Sequence, residues 1–175
     1  MLTKSDIEWL KKLSRSKKVK IVPYNPKVKE VFEKQRKEIL DILGQDIEVL
    51  HLGATGFGIS GQGEIDLVIP VSLDRFGEFI EKFEKIYGDP KSFSPRNRVR
   101  FNHKQGDINI EIVIVNRDSE GWKRNVAFEN YLKSHPEALG EYRRLKESSN
   151  GIGLKEYYRR KMEFINKILE KAFKI

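Results

Sequence analysis

Glu64 and Asp66 are separated by one residue in a segment, Glu64 to Pro70, whose apolar and β-branched composition predicts a strand. Side chains two apart on a strand share a face, with Cα atoms roughly 6.5–7 Å apart, so two carboxylates point into one space while Ile65, Leu67 and Ile69 turn the other way. Glu111 adds a third. It lies on a second alternating strand, 107–115, where Ile108, Ile110, Ile112 and Ile114 hold one face and Asp107, Asn109 and Glu111 hold the other. If the two strands are neighbours, three hard oxygen donors meet, a set that suits Mg²⁺ or Mn²⁺ better than Zn²⁺. Such ions stabilise the attacking and leaving oxygens of an in-line phosphoryl displacement.

Just upstream, Gly53, Gly56, Gly58, Gly61 and Gly63 fall within eleven residues. Glycine that dense permits positive φ and close approach of backbone N–H groups to a phosphate. No Gly-Lys-Ser/Thr follows, so this is not a P-loop, and the glycines precede a strand where a dinucleotide fingerprint would open a helix. Arg96, Arg98, Arg100 and Lys104 place positive charge on the hairpin next to Glu111. Arg98, Arg100 and Lys104 hold even positions, suitable for a triphosphate, for a nucleic-acid backbone or for guarding an exposed strand edge. A solvated strand face and a flexible connection are the plain alternatives to a site, and order and spacing together favour the site. His51 reads as a buried, hydrogen-bonded histidine, and His103 and His135 lack metal-ligand spacing.

The elements that must position these residues follow from periodicity. Ser5-Asp6-Ile7-Glu8 reads as a capping box opening a helix through about Leu13, and Val19 to Val22 reads as a strand. Asn25-Pro26 opens a helix that carries Val28, Phe32, Ile39 and Leu43 and closes at Gly44. Ile47 to Leu52 is a strand, and Leu73 to Ile86 is an amphipathic helix closing at Gly88. After a loop from Asp89 to Asn97, Arg98–His103 and Asp107–Val115 form a hairpin around Lys104-Gln105-Gly106. From Ser119 the pattern is helical to the end, interrupted at His135-Pro136 and at Ser148 to Gly151. Tyr157, Tyr158, Met162 and Phe173 form a stripe that reads as core. Central strands with C-terminal helices imply an α+β fold, a small mixed β-sheet with helices packed on it. One domain, 1–175, is expected, with residues 1–18 as an N-terminal helical extension and 119–175 as helices on the same core.

Composition narrows the classes. The chain has 175 residues, enough for one buried core, with 34 Lys and Arg against 26 Asp and Glu and no cysteine. Disulfide scaffolds, thiolate metal sites and cysteine nucleophiles are excluded, and a reducing, cytoplasmic setting is expected. No apolar run approaches the roughly 20 residues a membrane crossing needs, and the first six residues are polar, so a soluble chain with no membrane partner and no signal peptide is expected. The net charge of +8 suits polyanions, as it also suits a charged coat of the kind heat-adapted proteins display.

The spacing from Gly53-Ala54-Thr55 to Glu64-Ile65-Asp66 resembles the signature of the DNA polymerase beta-like nucleotidyltransferases. From about residue 19 onward the chain resembles the GrpB family. The matching pieces are Ile21-Val22-Pro23-Tyr24-Asn25-Pro26, His51 to Thr55, Gly61 to Asp66, Trp122, the phrase Ala127 to Pro136, Tyr142, Leu145-Lys146, Lys161 and Phe164-Ile165. The resemblance implies a nucleotidyltransferase fold and Mg²⁺-dependent transfer of a nucleotidyl group from a nucleoside triphosphate to an acceptor it does not identify: small molecule, RNA or protein. By position, Glu64 and Asp66 match the metal-binding pair and Glu111 the third acid. Gly53, Ala54, Thr55 and Gly63 match the nucleotide-binding turn, with Arg98 and Arg100 in reach of phosphates. Ala54 departs from the usual serine or glycine, leaving Thr55 to supply a hydroxyl. GrpB-like domains fused to dephospho-CoA kinase imply an alternative, a non-catalytic binding or folding-assistance module linked to coenzyme A biosynthesis. A nucleic-acid binder without catalysis ranks third.

Overall fold

A computed structural model of the chain describes residues 1–173. The first helix, α1 (Lys4–Lys11), is capped by Thr3, whose hydroxyl accepts from the Asp6 N–H at 3.1 Å while the Asp6 carboxylate accepts from the Thr3 N–H at 2.8 Å. The reciprocal box thus sits two residues before the expected Ser5–Glu8 pair. Both pairs fit the pattern, but Ser5 already lies inside the helix, and Glu8 instead pairs with Lys11 at 2.6 Å. Val19 to Val22 is not a strand. Its one bridge is the isolated pair of Val22 with Gly61, and Lys18 just before it bridges Gly153, with no extended neighbour to continue either into a ladder.

The remaining elements are α2 (Val28–Leu43), β1 (Leu50–Leu52), α3 (Gly53–Gly56), β2 (Ile65–Val71), α4 (Phe76–Tyr87) and β3 (Ser92–Ser94). They are followed by β4 (Arg98–Gln105), β5 (Ile108–Asn116), α5 (Glu120–Ser134), α6 (Pro136–Glu147) and α7 (Leu154–Ala172). Helix α2 ends at Gly44 as its sequence implies, at φ +102°. β1 is half the expected length, β3 was unforeseen, and the hairpin turns at Gly106 as expected. The breaks at His135-Pro136 and Ser148–Gly151 separate α5, α6 and α7, and the last two residues of the expected helical stretch lie outside the described residues.

The chain divides into two compact units. Tyr24–Ile59 with Gly63–Lys123 form a sheet unit; Met1–Pro23 and Ser60–Gln62, with the chain from Arg124 onward, form a helical unit. The sheet runs in the order β1-β2-β5-β4-β3, with β2 and β5 parallel and every other pair antiparallel. The fold is α+β around a mixed five-stranded sheet. One face, carrying Ile65, Leu67, Ile69, Val99, Phe101, Ile110, Ile112 and Ile114, packs against Phe32, Ile39 and Leu43 of α2 and Phe76, Phe79 and Phe83 of α4. On the other face Leu52, Val68 and Val115 form a small apolar cluster with Trp122 packed against it.

In the helical unit Phe128, Tyr142 and Phe164 meet ring to ring, with Phe128 and Tyr142 edge-on at 5.5 Å and Tyr142 and Phe164 stacked at 5.3 Å. Lys146, only 4% exposed, lies 4.7 Å over the Tyr142 ring and 3.3 Å from the Tyr157 hydroxyl, which satisfies a cation that burial would otherwise penalise. Of the stripe read as core, Tyr157 is fully buried, whereas Phe173 is 61% exposed, because the buried face of α7 follows Tyr157, Phe164, Ile168 and Leu169. Among the described residues no helix is long and apolar enough to cross a membrane.

Ile112 is fully buried in β5, between β2 and β4. Ile112→Ala is expected to destabilise the chain by about 2–5 kcal/mol through lost transfer energy and a cavity, measured by urea unfolding with an unchanged slope.

Candidate functional site

Strand alternation decides which residues can meet. Ile65 faces the core, so Asp66 faces the other side, and in the parallel register of β2 and β5 its Cα partner is Glu111. The antiparallel β4 sets Arg100 opposite Val113, Asn102 opposite Glu111 and Lys104 opposite Asn109, which places Arg98, Arg100 and Lys104 on that same face. Of the residues expected to share a face, Asp66, Glu111, Arg98, Arg100 and Lys104 therefore do, whereas Glu64 is not on the strand. Glu64 lies in the turn that precedes β2, one residue outside the strand.

Glu111 is engaged. Its carboxylate accepts from Arg100 Nη1 at 3.0 Å and lies 3.7 Å from Lys91 Nζ, with the Glu111 and Arg100 side chains 18% and 25% exposed. Lys91, which the sequence did not single out, is brought there because its N–H donates to the Arg100 carbonyl at 2.8 Å, extending the β3–β4 pairing by one residue. Arg100 Nε is buried with no hydrogen-bond partner among the described residues. Burial of its guanidinium end, and then repulsion from Arg100, hold the Arg98 pKa below the ordinary arginine value, although the residue as a whole is exposed. Among the described residues no three His, Asp or Glu side chains gather closely enough to hold a metal ion.

The glycine-rich stretch is not one open loop. Gly53 to Gly56 forms the single turn α3, and Ile59 N–H returns to the Ala54 carbonyl at 3.0 Å. Gly61 belongs to the helical unit, where it exchanges hydrogen bonds with Val22 at 2.7 and 3.1 Å. Gly63, at φ +82°, returns the chain to the sheet unit just before Glu64. Two glycines are required by space. A Cβ on Gly53, which sits at φ +70°, would overlap Asp66 Oδ2, and one on Gly56 would stand 2.5 Å from the His51 carbonyl oxygen. The turn thus presses its backbone onto the Asp66 carboxylate.

Thr55 is turned inward. Its hydroxyl donates to the Glu64 carbonyl at 3.0 Å and, having one proton, accepts from His51 Nε2 at 3.0 Å. His51 stacks on Phe32 at 4.6 Å, and burial lowers its pKa, so the neutral Nε2–H form makes this link. The chain from His51 through Thr55 ties the start of α3 to the residue that carries the first carboxylate. His51 is hydrogen-bonded as expected, but half-buried instead of fully buried.

A family model described as GrpB protein matches residues 18–171. The chain is 26% identical over 163 residues to UPF0157 protein YqkA of Bacillus subtilis, covering 89% of this chain and 48% of that protein. It is 24% identical over 153 residues to UPF0157 protein VC_A0354 of Vibrio cholerae, covering 85% and 79% respectively. The chain therefore spans about half the length of the Bacillus relative. A crystal structure of a conserved GrpB protein from Enterococcus faecalis shares the fold, with a TM-score of 0.67, 23% identity and coverage of 88% of this chain and 97% of that one.

Gly53→Ala is expected to destabilise the sheet unit by about 1–3 kcal/mol, since it combines a disfavoured φ with overlap on Asp66; chemical unfolding measures it. His51 is expected to titrate below its ordinary 6.5 when followed by NMR. Because the unfolded imidazole takes its proton first, the stability His51 contributes is complete above about pH 6.5 and is lost as pH falls through the folded pKa. His51→Gln should remove that part of the slope.

Proposed function

The chain belongs to the GrpB family, and from that premise we propose that its sheet unit is a Mg²⁺-dependent nucleotidyltransferase centre acting on a nucleoside triphosphate. The observation that carries the reading is the parallel register of β2 and β5, which sets Asp66 beside Glu111 with Arg98 and Arg100 on the same face. Glu64, Asp66 and Glu111 offer only hard carboxylate oxygens, which suit Mg²⁺ or Mn²⁺; as placed here they do not gather closely enough to hold an ion, so they would do so only after Glu111 leaves its ion pair and the carboxylates draw together. When bound, the ion supplies neutralisation of the charge on the transferring phosphoryl group.

The chain's own residues would act as follows. Arg100 offers a planar fork of donors to phosphate oxygens, and the unmet Nε shows that Glu111 does not satisfy its whole hydrogen-bonding capacity. Arg98 beside it raises the local positive charge, so a polyphosphate is favoured there. A phosphate that takes Arg100 releases Glu111 from its ion pair. The acceptor oxygen then bonds to the α-phosphorus, the P–O bond to the β-phosphate breaks with pyrophosphate leaving, and the acceptor's hydroxyl proton passes to a Glu111 carboxylate oxygen.

One observation favours a second reading. Glu111 is neutralised by Arg100 and Lys91, and the Thr55 hydroxyl is committed to Glu64, an arrangement that suits a binding or folding-assistance module without turnover. Thermal shift with each nucleoside triphosphate, with and without Mg²⁺, separates the two. A nucleotide at about 100 times its dissociation constant should stabilise the chain by about 2.7 kcal/mol in the presence of Mg²⁺, and Glu64→Gln/Asp66→Asn should abolish that shift while the variant still folds. If none of the nucleotides shifts the melting temperature, the module is favoured.

A further inference from the structure

The positive charge is not shared between the two units. The helical unit carries 19 lysines and arginines against 9 aspartates and glutamates, whereas the sheet unit carries 15 against 17. The excess that gives the chain its +8 arises wholly in the helical unit. Within that unit residues 9–23 contain no acid, and Lys11, Lys12, Arg15, Lys17, Lys18 and Lys20 fall in ten successive positions.

The structure holds this run as a pinned strap. The Val19 N–H donates to the Ile152 carbonyl at 3.0 Å, the Gly151 N–H to the Val19 carbonyl at 2.9 Å, and the Leu154 N–H to the Lys17 carbonyl at 2.8 Å. The Ile21 N–H donates to the Asn150 side-chain oxygen at 2.9 Å. Val19 is buried between the exposed Lys18 and Lys20, so the strap is anchored by one apolar side chain and faces water with its cations. Lys11 pairs with Glu8, but among the described residues Lys12, Arg15, Lys17, Lys18 and Lys20 pair with no carboxylate. Unpaired like charges fixed on an ordered backbone repel one another, and a polyanion that lies along them relieves that repulsion while releasing its counterions.

We propose that residues 11–20 form a docking surface for the phosphate backbone of a single-stranded nucleic acid. The charge selects a polyanion. A membrane surface would also draw on apolar side chains that insert, and here Val19 is buried and Leu13 and Ile21 are half-buried. Beyond Lys11, which ends α1, the strap is turn and bend with one isolated bridge and presents neither a helix nor a paired ribbon to enter a duplex groove, so the contact is with phosphates and carries no base code. The surface lies in a different unit from Asp66 and Glu111, and its function does not depend on nucleotidyl transfer.

Fluorescence anisotropy of a labelled 20-nucleotide single-stranded RNA tests it. The unmodified chain should bind with a micromolar dissociation constant at 50 mM salt. Four phosphate contacts should weaken that binding about fifty-fold at 200 mM, from a slope of about −0.7 per contact. Arg15→Gln/Lys17→Gln/Lys18→Gln/Lys20→Gln should lose at least about tenfold in affinity and flatten the salt dependence, and Lys18→Gln/Lys20→Gln alone about half of that in slope. A control with Lys29, Lys34, Lys37 and Lys85, all exposed in the sheet unit, changed to Gln should bind within about threefold of the unmodified chain. Circular dichroism checks that each variant is folded. Equal losses in strap and control variants, no RNA binding at 50 mM salt, or strap-dependent binding to phosphatidylserine vesicles without RNA binding would each overturn the proposal.

Discussion

The parallel pairing of β2 with β5 is the constraint on which the sheet unit depends. Its register, Ile65 with Ile110 through Val71 with Asn116, sends Ile65, Leu67 and Ile69 of β2 and Ile110, Ile112 and Ile114 of β5 into the core and Asp66 and Glu111 to the opposite face. A slip of one residue would drive Asp66 and Glu111 among Phe79, Phe83 and Phe101, where an unpaired carboxylate is strongly penalised. The hydrophobic pattern therefore does two things at once: it builds the core, and it delivers the acids to the sheet's other face.

What surrounds those acids is an electrostatic balance. Gly53 gives up a side chain so that backbone can meet Asp66, and the His51–Thr55–Glu64 link fixes that turn from behind. Glu111 is counterbalanced by Arg100 and Lys91 in a half-buried position where screening is weaker than at the open surface. The proposed phosphate-transfer centre and a self-neutralised scaffold would use the same groups, and the two differ in whether a polyphosphate outcompetes one carboxylate for Arg100.

Much of this was legible in the residues and some was not, for identifiable reasons. The alternation over 107–115 announced which residues share the Glu111 face, and the periodicity of α2 and α4 announced their core stripes, because both patterns are dictated by local geometry. The start of α1 was misplaced, since Thr3–Asp6 and Ser5–Glu8 both satisfy the capping pattern. Val19 to Val22 had the composition of a strand but found no strand to pair with. Lys91 had no periodic signal, as it lies in a proline-flanked loop beside a strand of three residues. The split of the glycine-rich stretch, with Gly61 bonded to Val22, rests on residues 39 positions apart in sequence and could not be inferred from either segment.

By itself the sequence determined the α+β class, the two faces of the central strands, the absence of thiol chemistry and the family resemblance, all consequences of residue type and short-range spacing. Only the tertiary structure decided that Asp66 and Glu111 are paired across parallel strands, that Glu111 is held by Arg100 and Lys91, and that the net charge resides in the helical unit. Strand order and long-range pairing arise from burying apolar surface over the whole chain, and no local pattern encodes which distant backbone will supply the partner.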